Sequence, residues 1–287
     1  MVVGSAVLGL SAIFVRWAMA SGATVLTIGL YRMAVALPGA ALLAWRAGAG
    51  QPGPAVGGGP GRAWAVAAGV AFFLDLLLWH LAMEHTTAAN ATLIVGGLSP
   101  IWVAAFSIAV LGLRYRPIGW LGQAAGLAGA LVLGLARGAR GGSGAGEAIA
   151  FAASFCYAAF TLTFSRSRRW LRAPQALFWM SLTCLILFAI AVLGAAHPLG
   201  GYGARGWLSL IGLGVIVQLV AWWLNSWGLG HVDAPLGALG LQTQQVATLF
   251  LAAWLLGESL KPLGLLGGGL LMSGIVLVAT AAAPRLR

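Results

Sequence analysis

Arg16, Arg32 and Asp75 are formally charged side chains that fall well inside apolar stretches of this 287-residue chain. A charge at bilayer depth costs about 2.5 to 3.5 kcal/mol on insertion scales, so each needs a partner, water or a function. At 1.5 Å of helix rise per residue, Arg16 lies roughly 17 to 20 Å from one end of its stretch, Asp75 about 17 Å and Arg32 about 18 Å. All three could share one layer. Asp75 can tie helices together by pairing with one arginine, but it cannot neutralise two. A guanidinium is then left for water in a cavity or for the carboxylate or phosphate of a ligand.

Trp79 stands four residues beyond Asp75 on the same helical face, with His80 beside it. A histidine there could titrate near neutral pH and carry a proton, or serve only as hydrogen-bonded structure. The 13 tryptophans are many for two interfacial belts. Trp17, Trp79 and Trp102, with Tyr157, Phe160, Trp179, Trp222 and Trp223, fall at mid-stretch and could offer π-faces to a partly apolar ligand. Gln242-Thr243-Gln244-Gln245 puts polar groups all round a helix, so at least one faces protein or cavity. Gln242 or Gln245, with Asn90 and Asn225, are the hydrogen-bonding candidates. Pro100 sits behind Gly96-Gly97, where a proline removes a backbone bond and kinks a helix. Gly96, Gly97 and Pro100 are thus expected to form a hinge.

The elements that must position these groups are ten apolar stretches, near 5–20, 24–45, 64–83, 88–113, 117–136, 147–165, 174–194, 207–228, 234–256 and 262–280. About 20 such residues cross a bilayer as a helix. With 61% apolar and 7% charged residues, water is not the main solvent of this chain, since soluble domains carry about 25% charge. The net charge of +11 is distributed in a way that argues against nucleic acid. With a cytoplasmic N-terminus, Arg46, Arg62, Arg114, Arg116, Arg166, Arg168, Arg169, Arg172, Arg285 and Arg287 lie inside. Arg137, Arg140, Arg205 and Lys261 lie outside. That excess is the positive-inside signature, which puts both termini in the cytoplasm. The Ala18-Met19-Ala20 run resembles a leader cleavage site, but Arg16 interrupts its apolar stretch and no basic region precedes it, so an uncleaved first helix is expected. Cys156 and Cys184 read as packing residues, and no metal-ligand cluster, cofactor motif or phosphate-binding glycine loop occurs in the sequence.

Shifting the chain by 145 residues brings Ala89, Gly112, Pro117, Gly119, Gly122 and Gly129 onto Ala234, Gly257, Pro262, Gly264, Gly267 and Gly274. The joint Arg116-Pro117 repeats as Lys261-Pro262, a charge followed by a helix-starting proline. Five helices per unit force the second unit to enter the membrane from the other side. Inverted repeats of this kind underlie alternating access, with the ligand near the midplane. The units are expected at 1–137 and 138–287. Gly122-x-x-x-Gly126 and Gly264-x-x-x-Gly268 have the small-residue spacing of close helix packing.

Thr86-Thr87-Ala88-Ala89-Asn90-Ala91-Thr92-Leu93-Ile94 followed by Leu98-Ser99-Pro100 resembles the EamA repeat of the drug/metabolite transporter superfamily. Tyr31-Arg32-Met33-Ala34, Asp75-Leu76-Leu77-Leu78-Trp79-His80 and Leu256-Gly257-Glu258 are similar to further family patterns. The first unit departs from them, with Leu113-Arg114 where an acidic residue usually follows Leu-Gly. The resemblance covers roughly residues 5–280. It implies an all-α integral membrane protein of ten transmembrane helices, built as two inverted five-helix EamA repeats, that exports small metabolites.

The resulting expectation is a multi-pass exporter in the cytoplasmic (inner) membrane, monomeric or weakly dimeric, carrying small amphipathic molecules, amino acids with aromatic or large apolar side chains above all. A broader drug or nucleotide-type carrier is the alternative. An intramembrane enzyme using Ser99 as nucleophile, with His80 or His85 as base, is the alternative from another class.

Overall fold

The protein is described by a computed structural model covering residues 1–49, 59–85, 88–111, 117–136, 144–195, 197–232, 234–256 and 262–281. All regular structure among these residues is helical, as a chain in hydrocarbon requires, because only a helix or a closed barrel satisfies its own backbone there. The helices are α1 (Val2–Leu8), α2 (Ser11–Ala20), α3 (Val25–Ala49), α4 (Gly59–His85), α5 (Ala88–Leu111), α6 (Pro117–Ala136) and α7 (Ala145–Ser167). They continue with α8 (Ala173–Ala195), α9 (Gly203–Gly212), a π-helical segment (Leu213–Ala221), α10 (Trp222–Leu229), α11 (Ala234–Leu241), α12 (Thr243–Leu256) and α13 (Pro262–Ala281). Among the described residues, six helical stretches are long and apolar enough to cross a membrane, counting 2–20 and 203–229 as one stretch each, and two shorter apolar helices accompany them.

Proline 117 and proline 262 open α6 and α13, at the first helical position, where a missing N–H costs nothing. The expected stretch at 5–20 is interrupted between α1 and α2, where Gly9 and Leu10 donate to Ala6 and Val7 at 3.0 and 3.1 Å. Such three-residue bonds tighten a helix end. The stretch at 234–256 breaks at Gln242, whose N–H reaches Leu239 at 2.9 Å. The stretch at 207–228 passes through the π-helical segment. α5, by contrast, runs on through Pro100.

Missing side chains let the helices approach. A Cβ on Gly129 of α6 would stand 2.3 Å from Leu271 N and 2.7 Å from Gly267 O of α13. Gly122 and Gly274 meet in the same way, with Gly274 O 2.9 Å from a Cβ on Gly122 and Gly122 O 2.7 Å from one on Gly274. Gly268 instead faces Val246. Against α3, Phe188 of α8 packs on Gly29 and Leu219 of the π-helical segment on Gly39.

The core between α3, α4, α7 and α8 holds Met33, Phe72, Phe160, Phe164, Met180 and Phe188, all buried. Leu121, Ile190, Leu193 and Leu208 are exposed, the outward apolar surface of a protein whose neighbours are lipid chains. Beyond α7, Arg168 donates from Nε to the Ser226 carbonyl at 2.7 Å, and burial lowers its guanidinium to about 10. The sequence assignments at Thr86, Thr87, Gly112 to Arg116, Arg137, Arg140, Gly257, Glu258, Lys261, Arg285 and Arg287 lie outside the described residues.

Candidate functional site

Between the break at Gly9, the helices α3, α4, α5, α7 and α10, and the break at Gln242 lies a cavity of about 80 Å³. That is room for several waters. Arg32 and Asp75 both line it, with aromatic walls from Phe72, Trp79, Tyr157 and Trp222. Gly96, Gln242, Gln244 and Gln245 form its polar side.

Arg32 is almost wholly buried, and its partners are neutral. Its Nε donates to Gln218 Oε1 at 2.9 Å and its Nη1 to Ser11 Oγ at 3.4 Å. The guanidinium also lies over the Phe72 ring, 5.7 Å from the centroid, where a cation is attracted to the π-face. Gln218 is held in turn, donating from Nε2 to Ser181 Oγ at 3.3 Å.

Asp75 is buried too, and its Oδ1 has no hydrogen-bond partner among the described residues. The direct ion pair that its helix position suggested is therefore absent: the two ionisable groups line one cavity without a contact within 4.0 Å. The Tyr157 hydroxyl and the Trp222 indole N–H are likewise buried and without a partner among the described residues. Leaving a buried polar group unmet costs about 1 to 3 kcal/mol, so three on one cavity call for bound water or a ligand. Trp222 is fixed edge-on between Phe72 and Phe160, at ring separations of 5.3 and 5.1 Å.

On the polar side, Gln245 Nε2 donates to Gln242 Oε1 at 2.7 Å, and Gln242 Nε2 donates to Ser99 Oγ at 3.3 Å. Ser99 Oγ passes its proton toward Gly96 O at 3.5 Å. That carbonyl is the one that Pro100 leaves without its usual helical donor. Gly96 lies so close to the pair that a Cβ there would stand 1.8 Å from Gln245 Nε2. The serine hydroxyl is thus engaged by an amide and a carbonyl, with His80 and His85 not among its partners.

Other candidates stand elsewhere. Arg16 is exposed on α2. Trp17 lies beneath Arg205, whose Cζ is 5.0 Å from its ring centroid. Trp102 donates from Nε1 to Ser154 Oγ at 3.0 Å, and its ring meets Phe151 and Phe155. Asn225 accepts the Ser5 hydroxyl at 3.0 Å and ties α10 to α1. His80 is buried beside Trp79, at 5.1 Å between rings, with neither ring nitrogen bonded among the described residues. Gly97 and Pro100 are buried in α5. Asn90 lies on α5, but its side chain falls outside the described residues.

Sequence reasoning missed Ser11, Phe72, Ser181 and Gln218. Gln218 had a readable signal, as a lone polar residue within the apolar run Leu213 to Trp223, where polar groups at membrane depth deserve a function by default.

The model of the EamA-like transporter family matches residues 1–135 and 144–280. A solved crystal structure of a protein superimposes with a TM-score of 0.73 over 98% of this chain and 96% of that one, at 22% identity. A likeness at that identity speaks to the fold alone. No curated protein matches the chain.

Proposed function

Since the chain belongs to the EamA-like transporter family, we propose that it exports small amphipathic metabolites by alternating access, with amino acids bearing aromatic or large apolar side chains as the favoured substrates. The observation that carries this reading is the pairing of Arg32 and Asp75 in one buried cavity with no bond between them. A dipolar molecule meets both charges, its carboxylate toward Arg32 and its ammonium toward Asp75. The Tyr157 hydroxyl and Trp222 N–H supply further donors, and Phe72, Trp79 and Trp222 supply apolar area for a side chain. A nucleotide brings several negative charges toward Asp75, which disfavours the nucleotide-type alternative.

The glycine contacts support two inverted five-helix units at 1–137 and 138–287. Gly122 meets Gly274 while Gly129 meets Gly267, and a shift of 145 residues carries each left-hand member onto the other's partner. Reciprocity of that kind is what a two-fold axis in the membrane plane produces. Ten spans with both termini in the cytoplasm of an inner-membrane protein belong to the same proposal, supported by the sequence repeat and the arginine distribution. The interrupted helices at Gly9 and Gln242 suit such a carrier, because irregular backbone at membrane depth is tolerated where it lines a cavity. At about 80 Å³ the cavity is small beside the ~300 to 1,000 Å³ of typical ligand sites, so a substrate with a large side chain needs it to widen.

Counterflow of radiolabelled Trp, Phe, Thr and a nucleotide sugar in proteoliposomes, with and without a pH gradient, tests the proposal. Saturable exchange of the aromatic amino acids supports it. Exchange of the nucleotide sugar alone supports the alternative.

A further inference from the structure

Gln218 stands behind Arg32, outside the cavity lining, and it is the polar residue at the middle of the π-helical segment Leu213–Ala221. π-helical turns are rare and tend to mark functional positions. Two close approaches seat this one against α3. A Cβ on Gly214 would stand 2.4 Å from Val35 Cβ and 3.3 Å from the Arg32 carbonyl, and a Cβ on Gly39 would stand 2.3 Å from Leu219 Cδ2. Between these two contacts Gln218 Oε1 takes the Arg32 Nε hydrogen at 2.9 Å, while its own amide is anchored on Ser181 at 3.3 Å.

A guanidinium buried in an apolar core is ordinarily neutralised by a carboxylate. Here the position that holds one edge of the fork carries an amide of the same shape and no charge. We propose that Gln218 is a specificity-determining positioning residue. It orients Arg32 while leaving its positive charge for the negatively charged group of the substrate. This rests on the reading of Arg32 as the anion-binding group. The segment that presents Gln218 to Arg32 is π-helical, a register that differs from the α-helix in residues per turn and so in where each side chain faces.

The decisive variant is the isosteric Gln218→Glu, compared with Gln218→Leu and Arg32→Gln. In counterflow of radiolabelled L-tryptophan, Gln218→Glu is expected to raise the half-saturation concentration by at least about tenfold, more than Gln218→Leu does, because it satisfies Arg32 internally. A residue that served packing alone would change stability with either substitution and leave the half-saturation concentration near the wild-type value. A wild-type half-saturation value for Gln218→Glu, alongside a strong defect in Arg32→Gln, overturns the role of Gln218 only. Wild-type behaviour of Arg32→Gln overturns the anion-binding reading beneath it.

A second measurement needs no substrate. In thermal unfolding of the purified detergent-solubilised protein, Gln218→Glu is expected to raise the midpoint when Arg32 is present and to lower it in the Arg32→Gln background, where the new carboxylate is buried alone. Shifts of the same sign in both backgrounds overturn the proposal.

Discussion

Arg32 and Asp75 line the same buried cavity yet make no hydrogen bond or ion pair with each other within 4.0 Å. The guanidinium is held by Gln218 and Ser11, while Asp75 Oδ1 meets no donor among the described residues. Two charges kept apart in an apolar interior favour a ligand that brings charges of its own.

Exchanging the two charged side chains is therefore not expected to restore function. Arg32→Gln and Asp75→Asn are each expected to weaken L-tryptophan counterflow by roughly tenfold or more, about 1.4 kcal/mol per factor of ten. The doubly substituted Arg32→Asp, Asp75→Arg protein is expected to stay as impaired as the single variants. Recovery of transport in the exchange variant would reveal a structural ion pair instead.

Tyr157→Phe removes a hydroxyl that no described protein group meets. Deleting an unsatisfied buried polar group is neutral or slightly stabilising. The midpoint of thermal unfolding is expected to hold or rise, while the half-saturation concentration for L-tryptophan rises several-fold. A drop in stability with unchanged affinity would assign the hydroxyl to the fold.

The sequence reading reached Arg32, Asp75, Trp79, Tyr157, Trp222, Gln242 and Gln245 through one consideration, the cost of polar and aromatic groups at mid-membrane, and these residues line the cavity. The same consideration selected Arg16, Trp17, Trp102 and Asn225, which point elsewhere. Depth follows from rise per residue, but the direction of a side chain follows from rotation. In helices such as α8 and α5 the few polar residues gather on no strong face, so periodicity carries little mark of the lining side. The π-helical segment and the breaks at Gly9 and Gln242 were not legible for a related reason, since this chain carries glycines throughout its helices and which of them marks a break depends on what packs against the backbone.

Gly96→Ala tests whether Gly96 acts as the seat of the glutamine pair. Its Cβ would stand 1.8 Å from Gln245 Nε2 and 2.6 Å from Gln242 Oε1, so both amides must shift. Overpacking of this sort costs about 1 to 3 kcal/mol. A lowered unfolding midpoint and reduced counterflow are expected, with partial recovery when Gln245→Ala is added. A defect that Gln245→Ala leaves untouched would point to the hinge expected at Gly96, Gly97 and Pro100.

Gly129→Ala strikes backbone, because Leu271 N and Gly267 O lie 2.3 and 2.7 Å from the added carbon. α6 and α13 must then separate, at a cost of about 1 to 3 kcal/mol or more. Gly194→Ala is the matched control, since nothing lies within 4 Å of its Cβ. Thermal unfolding in detergent is expected to show a large fall for the first variant and little change for the second. Equal behaviour of the two would dismiss the glycine contact as a determinant of the fold.

The most direct measurement is competition against radiolabelled L-tryptophan counterflow in proteoliposomes by tryptophan, tryptamine and indole-3-propionate, which share one ring system and differ in charge. Saturable exchange, blocked by tryptophan and only weakly by the two analogues that lack the carboxylate or the ammonium, is the result expected if Arg32 and Asp75 bind opposite ends of a dipolar substrate. Absence of tryptophan exchange, or equal competition by all three compounds, would contradict that reading.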